Sequence, residues 1–279
     1  MPTFTTPQPI LVTLDLAAGD ARISAGERED TVVEVAPRDA SRPADVRAAE
    51  QARVEFDNGR LHVRTPRQGL SFNKGGFVEV TIALPTGSRV DGHTGAGTLH
   101  ADGTLADCTL KSGAGDIRLE RTGRVQLTSG AGDITVEGAA GDAKVATGSG
   151  EVRLGAVARH AVIKNGNGVI AVGDAGGELR LIGANGDITV ERAAGNVVAK
   201  TANGSVRVGE VARGTVDLGT AYGDIEVGIA EGTAARLDVR THFGSIRQGL
   251  DAAQAPPKTA QTVTVRGRTA YGDIVIERA

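Results

Sequence analysis

A column of aspartates offers the most chemistry in this sequence, because carboxylates are the ligands that Ca²⁺ prefers. Its members each follow a recurrent glycine: Asp116, Asp133, Asp187, Asp224 and Asp273. Calcium-binding β-rolls use a nine-residue Gly-Gly-x-Gly-x-Asp repeat, so that several carboxylates surround each ion. Here one carboxylate recurs about every 18 residues, and Val169, Ser205 and Ser245 interrupt the column. We therefore predict that these aspartates bind turn amides on a solvated face and hold no metal ion.

Basic residues lie two positions further along the same predicted face. They are Arg118, Arg153, Arg207 and Arg247. Even without them, like charges about 4.8 Å apart would repel by only about 0.9 kcal/mol in water. The arginines can offset the carboxylates, so the face requires no bound cation.

The other reactive side chains are isolated from one another. Cys108 occupies a position that is apolar in neighbouring repeats, which predicts a buried small side chain and not a nucleophile. The histidines lack the short spacings typical of metal ligands: His62, His93, His100, His160 and His242. Gly148-Ser149-Gly150 lacks the spacing of a nucleophile elbow. We predict no catalytic residue, no cofactor and no metal site, and therefore a protein that is not an enzyme.

A repeat supplies the scaffold for these columns. One glycine recurs in phrases such as Ser112-Gly-Ala-Gly-Asp-Ile and Ser129-Gly-Ala-Gly-Asp-Ile. These anchor glycines are Gly97, Gly115, Gly132, Gly150, Gly168, Gly186, Gly204, Gly223, Gly244 and Gly272. Their spacings are 18, 17, 18, 18, 18, 18, 19, 21 and 28 residues, which indicates a repeat architecture.

Apolar residues stand at fixed distances from each anchor glycine. Two positions after it the residue is always Leu, Ile or Val, and seven positions before it the residue is Val, Cys, Ala or Leu. Polar residues alternate with the apolar ones, and this period of two predicts strands with glycine at the corners. Because one repeat has too few apolar residues to bury itself, we expect each strand to pair in parallel with its equivalent in the next repeat.

These features predict an all-β fold, a parallel β-helix (β-solenoid) of about ten 18-residue coils. A left-handed hexapeptide helix would place an aliphatic residue at every sixth position. Six residues after Ile117 stands Gly123, and six after Ile134 stands Ala140, so that alternative fits poorly. Parallel β crossovers are almost always right-handed, and we predict a right-handed coil.

The two ends of the sequence depart from the repeat. Residues 1–89 are predicted to form an irregular, strand-rich cap that shares a continuous core with the repeats of residues 90–279. The predicted strands of this cap lie near residues 9–16, 30–36, 53–56, 60–64 and 77–84. Pro43–Val54 is predicted as a short helix with Ser41 as its N-cap. Residues 251–262 interrupt the last coil with a Pro-Pro loop.

Aromatic side chains are the one feature that the repeat does not demand. Just before the anchor glycine, the last three repeats carry Tyr222, Phe243 and Tyr271. One hypothesis packs these aromatics under the 251–262 loop as a C-terminal cap, because end coils need shielding. The other makes them a contact patch for a protein or glycan partner.

Corner asparagines are predicted to stack their amides in a ladder: Asn165, Asn167, Asn185 and Asn203.

Composition and charge exclude several classes of protein. A net charge of −3 and a pI near 6.0 argue against a nucleic-acid-binding surface. The single cysteine excludes a disulfide framework and a cysteine-based zinc site. No apolar run is long enough to span a membrane. The N-terminal residues show neither part of a secretory signal, and we expect a cytoplasmic protein.

The Gly-Asp-Ile-x-Val phrase, the 18-residue spacing and the closing Thr269-Ala-Tyr-Gly-Asp-Ile-Val-Ile carry a resemblance to a known family. The sequence resembles the bacterial β-strand-repeat family labelled "putative adhesin", a family of unknown function. The resemblance covers about residues 8–279 and is strongest over residues 94–279. It implies a β-helix and supplies no catalytic residues to transfer.

Three functions remain open at the level of sequence. The first is a non-catalytic binding or scaffold module, adhesin-like by resemblance, with an unknown protein or glycan partner. The second is a structural protein that assembles itself through the solenoid ends. The third is a polysaccharide lyase or hydrolase, because right-handed β-helices also host those enzymes. The absence of Trp and the lack of clustered acids argue against the third.

Overall fold

The computed structural model describes residues 2–65, 76–250 and 261–279. The chain divides into two compact units, residues 1–140 (unit 1) and 141–279 (unit 2). The boundary that the sequence places at residue 89 lies inside unit 1 and stays a prediction. The predicted 251–262 loop lies outside the described residues, apart from its last two positions.

Unit 1 contains thirteen described strands and one helix. They are β1 (Thr3–Thr5), β2 (Leu11–Leu16), β3 (Gly19–Gly26), β4 (Asp30–Pro37), α1 (Pro43–Glu50), β5 (Arg53–Asp57), β6 (Arg60–Arg64), β7 (Val78–Pro85), β8 (Arg89–Ala96), β9 (Leu99–Thr104), β10 (Cys108–Ala114), β11 (Ile117–Thr122), β12 (Val125–Ala131) and β13 (Ile134–Ala139). One sheet of this unit has the strand order β1-β4-β7-β3-β9-β11-β13, and the other has the order β12-β10-β8-β2-β6-β5. All pairs are parallel except β1–β4, β4–β7 and β5–β6.

Unit 2 contains only strands among its described residues. They are β14 (Ala143–Ser149), β15 (Val152–Val157), β16 (Ala161–Asn167), β17 (Ile170–Ala175), β18 (Leu179–Asn185), β19 (Ile188–Ala193), β20 (Val197–Lys200), β21 (Val206–Val211), β22 (Gly214–Tyr222), β23 (Ile225–Ile229), β24 (Ala234–Phe243), β25 (Ile246–Gln248), β26 (Thr262–Tyr271) and β27 (Ile274–Arg278). Its sheets have the orders β14-β16-β18-β20-β22-β26-β24 and β15-β17-β19-β21-β23-β27-β25. Every pair named in these two orders is parallel.

The paired strands bring equivalent residues of successive repeats into register. In unit 1, Ile117 pairs with Ile134, and in unit 2, Ile170 pairs with Ile188. These four isoleucines are between 0% and 1% exposed, so they form apolar columns between the two sheets of their unit. The prediction of an all-β, β-solenoid-like fold with parallel sheets is confirmed. The handedness and the number of coils stay predictions.

Two coils lie out of chain order, and here the expectation that each repeat pairs with the next is wrong. In unit 2, the coil β26/β27 lies between β22/β23 and β24/β25. In unit 1, the coil β2/β3 lies between β6/β7 and β8/β9. Parallel pairing requires matched apolar columns and turns, and it does not require adjacency along the chain.

The exchange in unit 2 has a physical reason in the residues. Thr269-Ala-Tyr-Gly-Asp-Ile has the same sequence as Thr220-Ala-Tyr-Gly-Asp-Ile, and the two segments pair directly. The C-terminal coil also has complete apolar columns, with Ile274 and Ile276 both 0% exposed. The coil β24/β25 instead carries Gln248 in such a column, where burial would leave its amide without water. The coil β24/β25, whose apolar column is interrupted by Gln248, therefore lies at the end of the two sheets.

The helix in unit 1 is shorter than predicted and is capped differently. It ends at Glu50, and Val54 belongs to β5. Its N-cap is Arg42, which makes no side-chain capping hydrogen bond. The Ser41 hydroxyl donates a hydrogen bond to Asp39 instead, so the prediction of Ser41 as the cap is wrong.

Predicted strand positions in residues 9–84 are confirmed within a few residues, whereas β1 and β3 were not predicted.

Antiparallel strands and the helix close one end of unit 1. The edge strands β1 and β5 belong to different sheets, yet Phe4 and Phe56 stack with ring centroids 4.9 Å apart. Asp45 of the helix is 1% exposed, and its carboxylate accepts a hydrogen bond from the Phe77 backbone N–H at 2.9 Å. Strands that pair in the opposite direction, together with a covering helix, prevent further parallel stacking at this end.

The anchor glycines have φ values between +128° and +156°, a region that side chains rarely adopt. A Cβ built on Gly186 would lie 2.3 Å from the carbonyl oxygen of Gly168 in the neighbouring coil. We expect Gly186→Ala to destabilise unit 2 by about 3 kcal/mol or more, because strain and a steric clash add. Chemical denaturation measures this change.

Gly219→Ala is the matched control for that experiment. A Cβ at Gly219 meets nothing nearer than the Lys200 side chain at 3.7 Å, an ordinary contact. Its expected effect is within about 0.5–1 kcal/mol. Equal losses for the two variants would contradict the role assigned to the anchor position.

Candidate functional site

The residues that precede the anchor glycines of unit 2 form one continuous column, which we call the contact strip. In spatial order it contains Ser149, Asn167, Asn185, Asn203, Tyr222, Tyr271 and Phe243. Each member is paired in parallel with the next, so neighbouring side chains are one strand spacing apart, about 4.8 Å. All seven side chains belong to exposed residues.

The first half of the contact strip is a ladder of amides. The Asn185 amide donates to the Asn167 side-chain oxygen at 2.8 Å, and the Asn203 amide donates to the Asn185 oxygen at 2.8 Å. Asn167 in turn lies 3.5 Å from the Ser149 hydroxyl. Each bond fixes the next side chain, so the ladder presents ordered polar groups to solvent. The predicted ladder is confirmed for these three asparagines.

Asn165 does not join that ladder, and this part of the prediction is wrong. The alternation of buried and exposed residues in β16 breaks after Asn165, so Asn165 is 4% exposed whereas Asn167 is exposed. Its amide donates to the backbone carbonyls of Gly150 and Gly168 at 2.9 and 3.0 Å. Asn165 therefore supports the corner and offers nothing to a partner.

The second half of the contact strip is a stack of aromatic rings. The Tyr222 and Tyr271 centroids are 5.0 Å apart with 1° between the ring planes, and Phe243 lies 4.8 Å from Tyr271 at 8°. The exposed fractions are 57% for Tyr222, 48% for Tyr271 and 63% for Phe243. The stacking covers both faces of the Tyr271 ring and one face each of Tyr222 and Phe243.

The order of these rings follows the exchange of coils. Tyr271 lies between Tyr222 and Phe243, although it comes last along the chain. The hypothesis that the 251–262 loop covers them rests on residues outside those described and stays a prediction. The alternative, a contact patch, is the one developed below.

A column of buried polar side chains supports the strip from inside, and sequence reasoning missed it. The residue three positions before the anchor glycine is Thr, Ser, Asn or Gly in every repeat. The hydroxyls of Thr201, Thr220 and Thr269 donate to the carbonyls of anchor glycines in the adjacent coil, at 3.2, 2.8 and 2.9 Å. The signal was the recurrence of a small hydrogen-bonding residue in an otherwise apolar column.

The aspartate column acts on the backbone, as the sequence predicts. The Asp187 carboxylate accepts a hydrogen bond from the Ser205 N–H at 2.8 Å, and Asp224 accepts one from the Asp273 N–H at 2.8 Å. In unit 1, Asp116 accepts one from Asp133 at 2.9 Å. Each carboxylate thus joins its own corner to the next coil.

Arginines beside this column form ion pairs on the surface. Arg118 lies 3.3 Å from Asp116, and Arg247 lies 3.5 Å from Asp273. The backbone N–H and hydroxyl of Ser245, aided by Arg247, lower the pKa of Asp273 below its usual value. The Asp273 carboxylate is therefore ionised at neutral pH, and both Asp116 and Asp273 are held by structural partners.

The remaining reactive residues are separate from one another. Cys108 is 1% exposed, which confirms its predicted burial. The His100 ring pairs with Asp102 at 2.7 Å, and His160 accepts a hydrogen bond from the Glu178 N–H. Within residues 2–65, 76–250 and 261–279, no three His, Cys, Asp or Glu residues come together as metal ligands would.

No helix in the described part of the chain is long and apolar enough to cross a membrane. This finding concerns helices only. The expected cytoplasmic location stays a prediction.

Parallel strands stacked through glycine corners define a β-solenoid-like repeat protein, with a surface built from columns of equivalent residues. The model of the Toastrack family, a bacterial domain of unknown function (DUF4097), matches residues 12–255. The chain belongs to this family, and the resemblance to a β-strand-repeat family of unknown function is confirmed.

Solved structures of similar proteins include two named "putative adhesin". One, from Bacteroides fragilis, is 13% identical, with 99% of this chain and 95% of that chain covered and a TM-score of 0.42. The other, from Parabacteroides merdae, is 13% identical, with 98% and 94% covered and a TM-score of 0.39. A "putative lipid binding protein" from Parabacteroides distasonis is 13% identical, with 99% and 95% covered and a TM-score of 0.39. A search among curated proteins found no match.

The buried hydroxyl column yields a stability prediction. In Thr220→Val the carbonyl of Gly204 loses its hydroxyl donor, and we expect a loss of about 1–2 kcal/mol. Thr215→Val, on the exposed face of the same strand, is the control and should change stability by less than about 0.5 kcal/mol. Urea unfolding followed by circular dichroism compares the two variants.

Burial, with help from the nearby carboxylates of Asp107 and Asp91, raises the pKa of the Cys108 thiol to about 12. We therefore expect the native protein to resist a thiol reagent at mildly alkaline pH, because almost no thiolate forms. In concentrated guanidinium chloride the one cysteine should react fully. Lys111→Cys places a second thiol on the exposed face of the same strand and should react without denaturant. Rapid labelling of native Cys108 would contradict this account.

Proposed function

We propose that this chain is a non-catalytic binding module whose partner contacts the contact strip. One observation carries the proposal: three aromatic rings are between 48% and 63% exposed and continue an ordered amide ladder. The chain has only two tyrosines and five phenylalanines, so three of them on one exposed column is a strong concentration. Large exposed aromatic surfaces are typical of interaction sites.

The strip is suited to binding because its shape exists before a partner arrives. Hydrogen bonds fix the asparagine side chains, and stacking fixes the rings. Ordering flexible side chains costs free energy on association, and these side chains have already lost that freedom on folding. The strip therefore combines apolar area, amides and two tyrosine hydroxyls in one rigid line.

The ring geometry favours a protein partner over a glycan. Sugars bind aromatic residues by packing against ring faces, whereas Tyr271 is stacked between two rings and Tyr222 has one face against Tyr271. Ring edges, hydroxyls and amides instead suit the mixed polar and apolar surface of a polypeptide. A glycan is an alternative that the experiment below can detect.

Two observations support a module without catalysis. The aspartates that could act as acids or bases are hydrogen-bonded to turn amides of the adjacent coil. The single thiol is buried with a raised pKa, which keeps it protonated. We also propose that the coils are right-handed and number about ten, in accord with the handedness of parallel crossovers.

A random-peptide display library and a glycan array, each probed with the full chain, test the proposal. Peptides that bind the wild type should bind the double variant Tyr222→Ser/Tyr271→Ser about tenfold more weakly or worse. Arg180→Ser, on an exposed strand face of unit 2, is the control and should bind normally. Equal binding by the double variant would refute the strip, and hits confined to the glycan array would replace the protein partner with a sugar.

The same double variant separates a contact role from a cap role. Loss of a partly exposed stack should cost no more than about 1.5 kcal/mol per aromatic pair. A much larger loss of stability, or a change in oligomer size, would support the cap hypothesis instead. Thermal melting and gel filtration provide these measurements.

A further inference from the structure

The outer coil of unit 2, β24 with β25, is less completely buried than the coils inside it. Ile246 is 41% exposed, whereas its partner Ile274 in the adjacent coil is 0% exposed. Leu237 and Val239 of β24 are also only partly buried, while Val265, the partner of Leu237, is 0% exposed. An apolar column thus continues into a coil on which no described residue completes the burial.

The same coil has strand edges on which no described residue pairs. Among the described residues, β24 pairs only with β26, and β25 pairs only with β27. β24 is ten residues long, and a strand of that length exposes a row of unpaired N–H and C=O groups along its free edge. Such an edge can add a strand from another chain.

The outward side chains of β24 are charged in a self-complementary pattern. Arg236, Asp238 and Arg240 alternate with the inward residues. In an antiparallel pair centred on Val239, Asp238 of one copy lies opposite Arg240 of the other, and the same contact occurs twice. Parallel pairing in register would place each of these charges opposite itself, which is unfavourable.

The neighbouring strands favour the same register. Across β22, β26 and β24, the residues Asp217, Arg266 and Asp238 are in register and alternate in sign, so a basic residue would come next. Arg268 and Arg240 are in register and carry the same charge. An acidic residue on the next strand, opposite Arg240, would therefore be favourable. Pairing about Val239 supplies Arg240 opposite Asp238 and Asp238 opposite Arg240.

We propose that two copies of this chain associate through antiparallel pairing of β24 with β24, centred on Val239. The two-fold symmetry makes the interface isologous, so it joins two copies and uses the same edge on both. Burial of Leu237, Val239 and Ile246 against the second copy provides the apolar part of the contact. The proposal goes beyond the partner binding at the contact strip and does not depend on it.

The assembly stops at two copies because the two-fold contact uses the free edge of β24 in both. In unit 1, the outer strands β1 and β5 pair antiparallel with their neighbours. A filament would need a second, different interface on each copy, and the proposed contact supplies one interface only. A closed dimer is therefore the expected product.

Sedimentation equilibrium of the full chain tests the interface. The wild type should be a dimer. Asp238→Arg and Arg240→Asp each place like charges opposite one another twice, and each should weaken dimerisation about tenfold or more. Arg236→Asp is the matched control on the same strand, because in this register Arg236 faces His242 of the second copy and lies outside the Asp238–Arg240 pairs.

Mixing the two disrupted variants gives the sharpest readout. An equimolar mixture of Asp238→Arg and Arg240→Asp chains restores opposite charges at both pairs, so a heterodimer should form. Circular dichroism of each variant confirms that these exposed substitutions leave the fold intact. Recovery of the dimer only in the mixture supports the proposed register.

Three results would overturn the proposal. A wild type that stays monomeric at all concentrations means that no second copy covers the edge. A dimer that survives both charge reversals means that another surface joins the copies. A continuous series of larger species means that the chain forms filaments, and the closed two-fold dimer is wrong.

Discussion

The anchor glycines set the distance between neighbouring coils. Most of them place the backbone where a Cβ would collide with the carbonyl oxygen of a glycine in the adjacent coil, as Gly186 does against Gly168. The corners can therefore approach to the spacing of hydrogen-bonded strands, and the strands on both sides fall into register. Register then aligns every equivalent side chain, and the columns of the molecule follow from it.

Each column is a one-dimensional structure with its own chemistry. Isoleucine and valine columns make the core, hydroxyl columns hold the glycine carbonyls, and aspartates join successive turns. The contact strip differs because its residues satisfy one another and remain exposed. In such a fold, the residues that can contact a partner lie in the exposed columns, because the buried columns hold neighbouring coils together.

The sequence predicts the columns well because the repeat is strong. The period of two around each anchor glycine gives the strands, and the polar exception Gln248 marks a coil that cannot be fully buried. The spatial order of the coils could not be predicted in the same way, because the repeats are nearly equivalent as pairing partners. The burial of Asn165 was missed for another reason: the alternation of buried and exposed residues breaks within β16, so Asn165 and Asn167 do not share a face.

The insertion of β26 and β27 between earlier strands has a consequence for biogenesis. While the chain is being synthesised, β22 can pair with β20, but its second neighbour and the only described neighbour of β24 are missing until residues 262–271 have been made. Until β26 and β27 insert, β22 must stay unpaired with β24, or any pairing formed early between these two strands must break again. Such contacts between distant segments slow folding and expose strand edges, so unit 2 cannot complete its sheets before β26 and β27 have been synthesised.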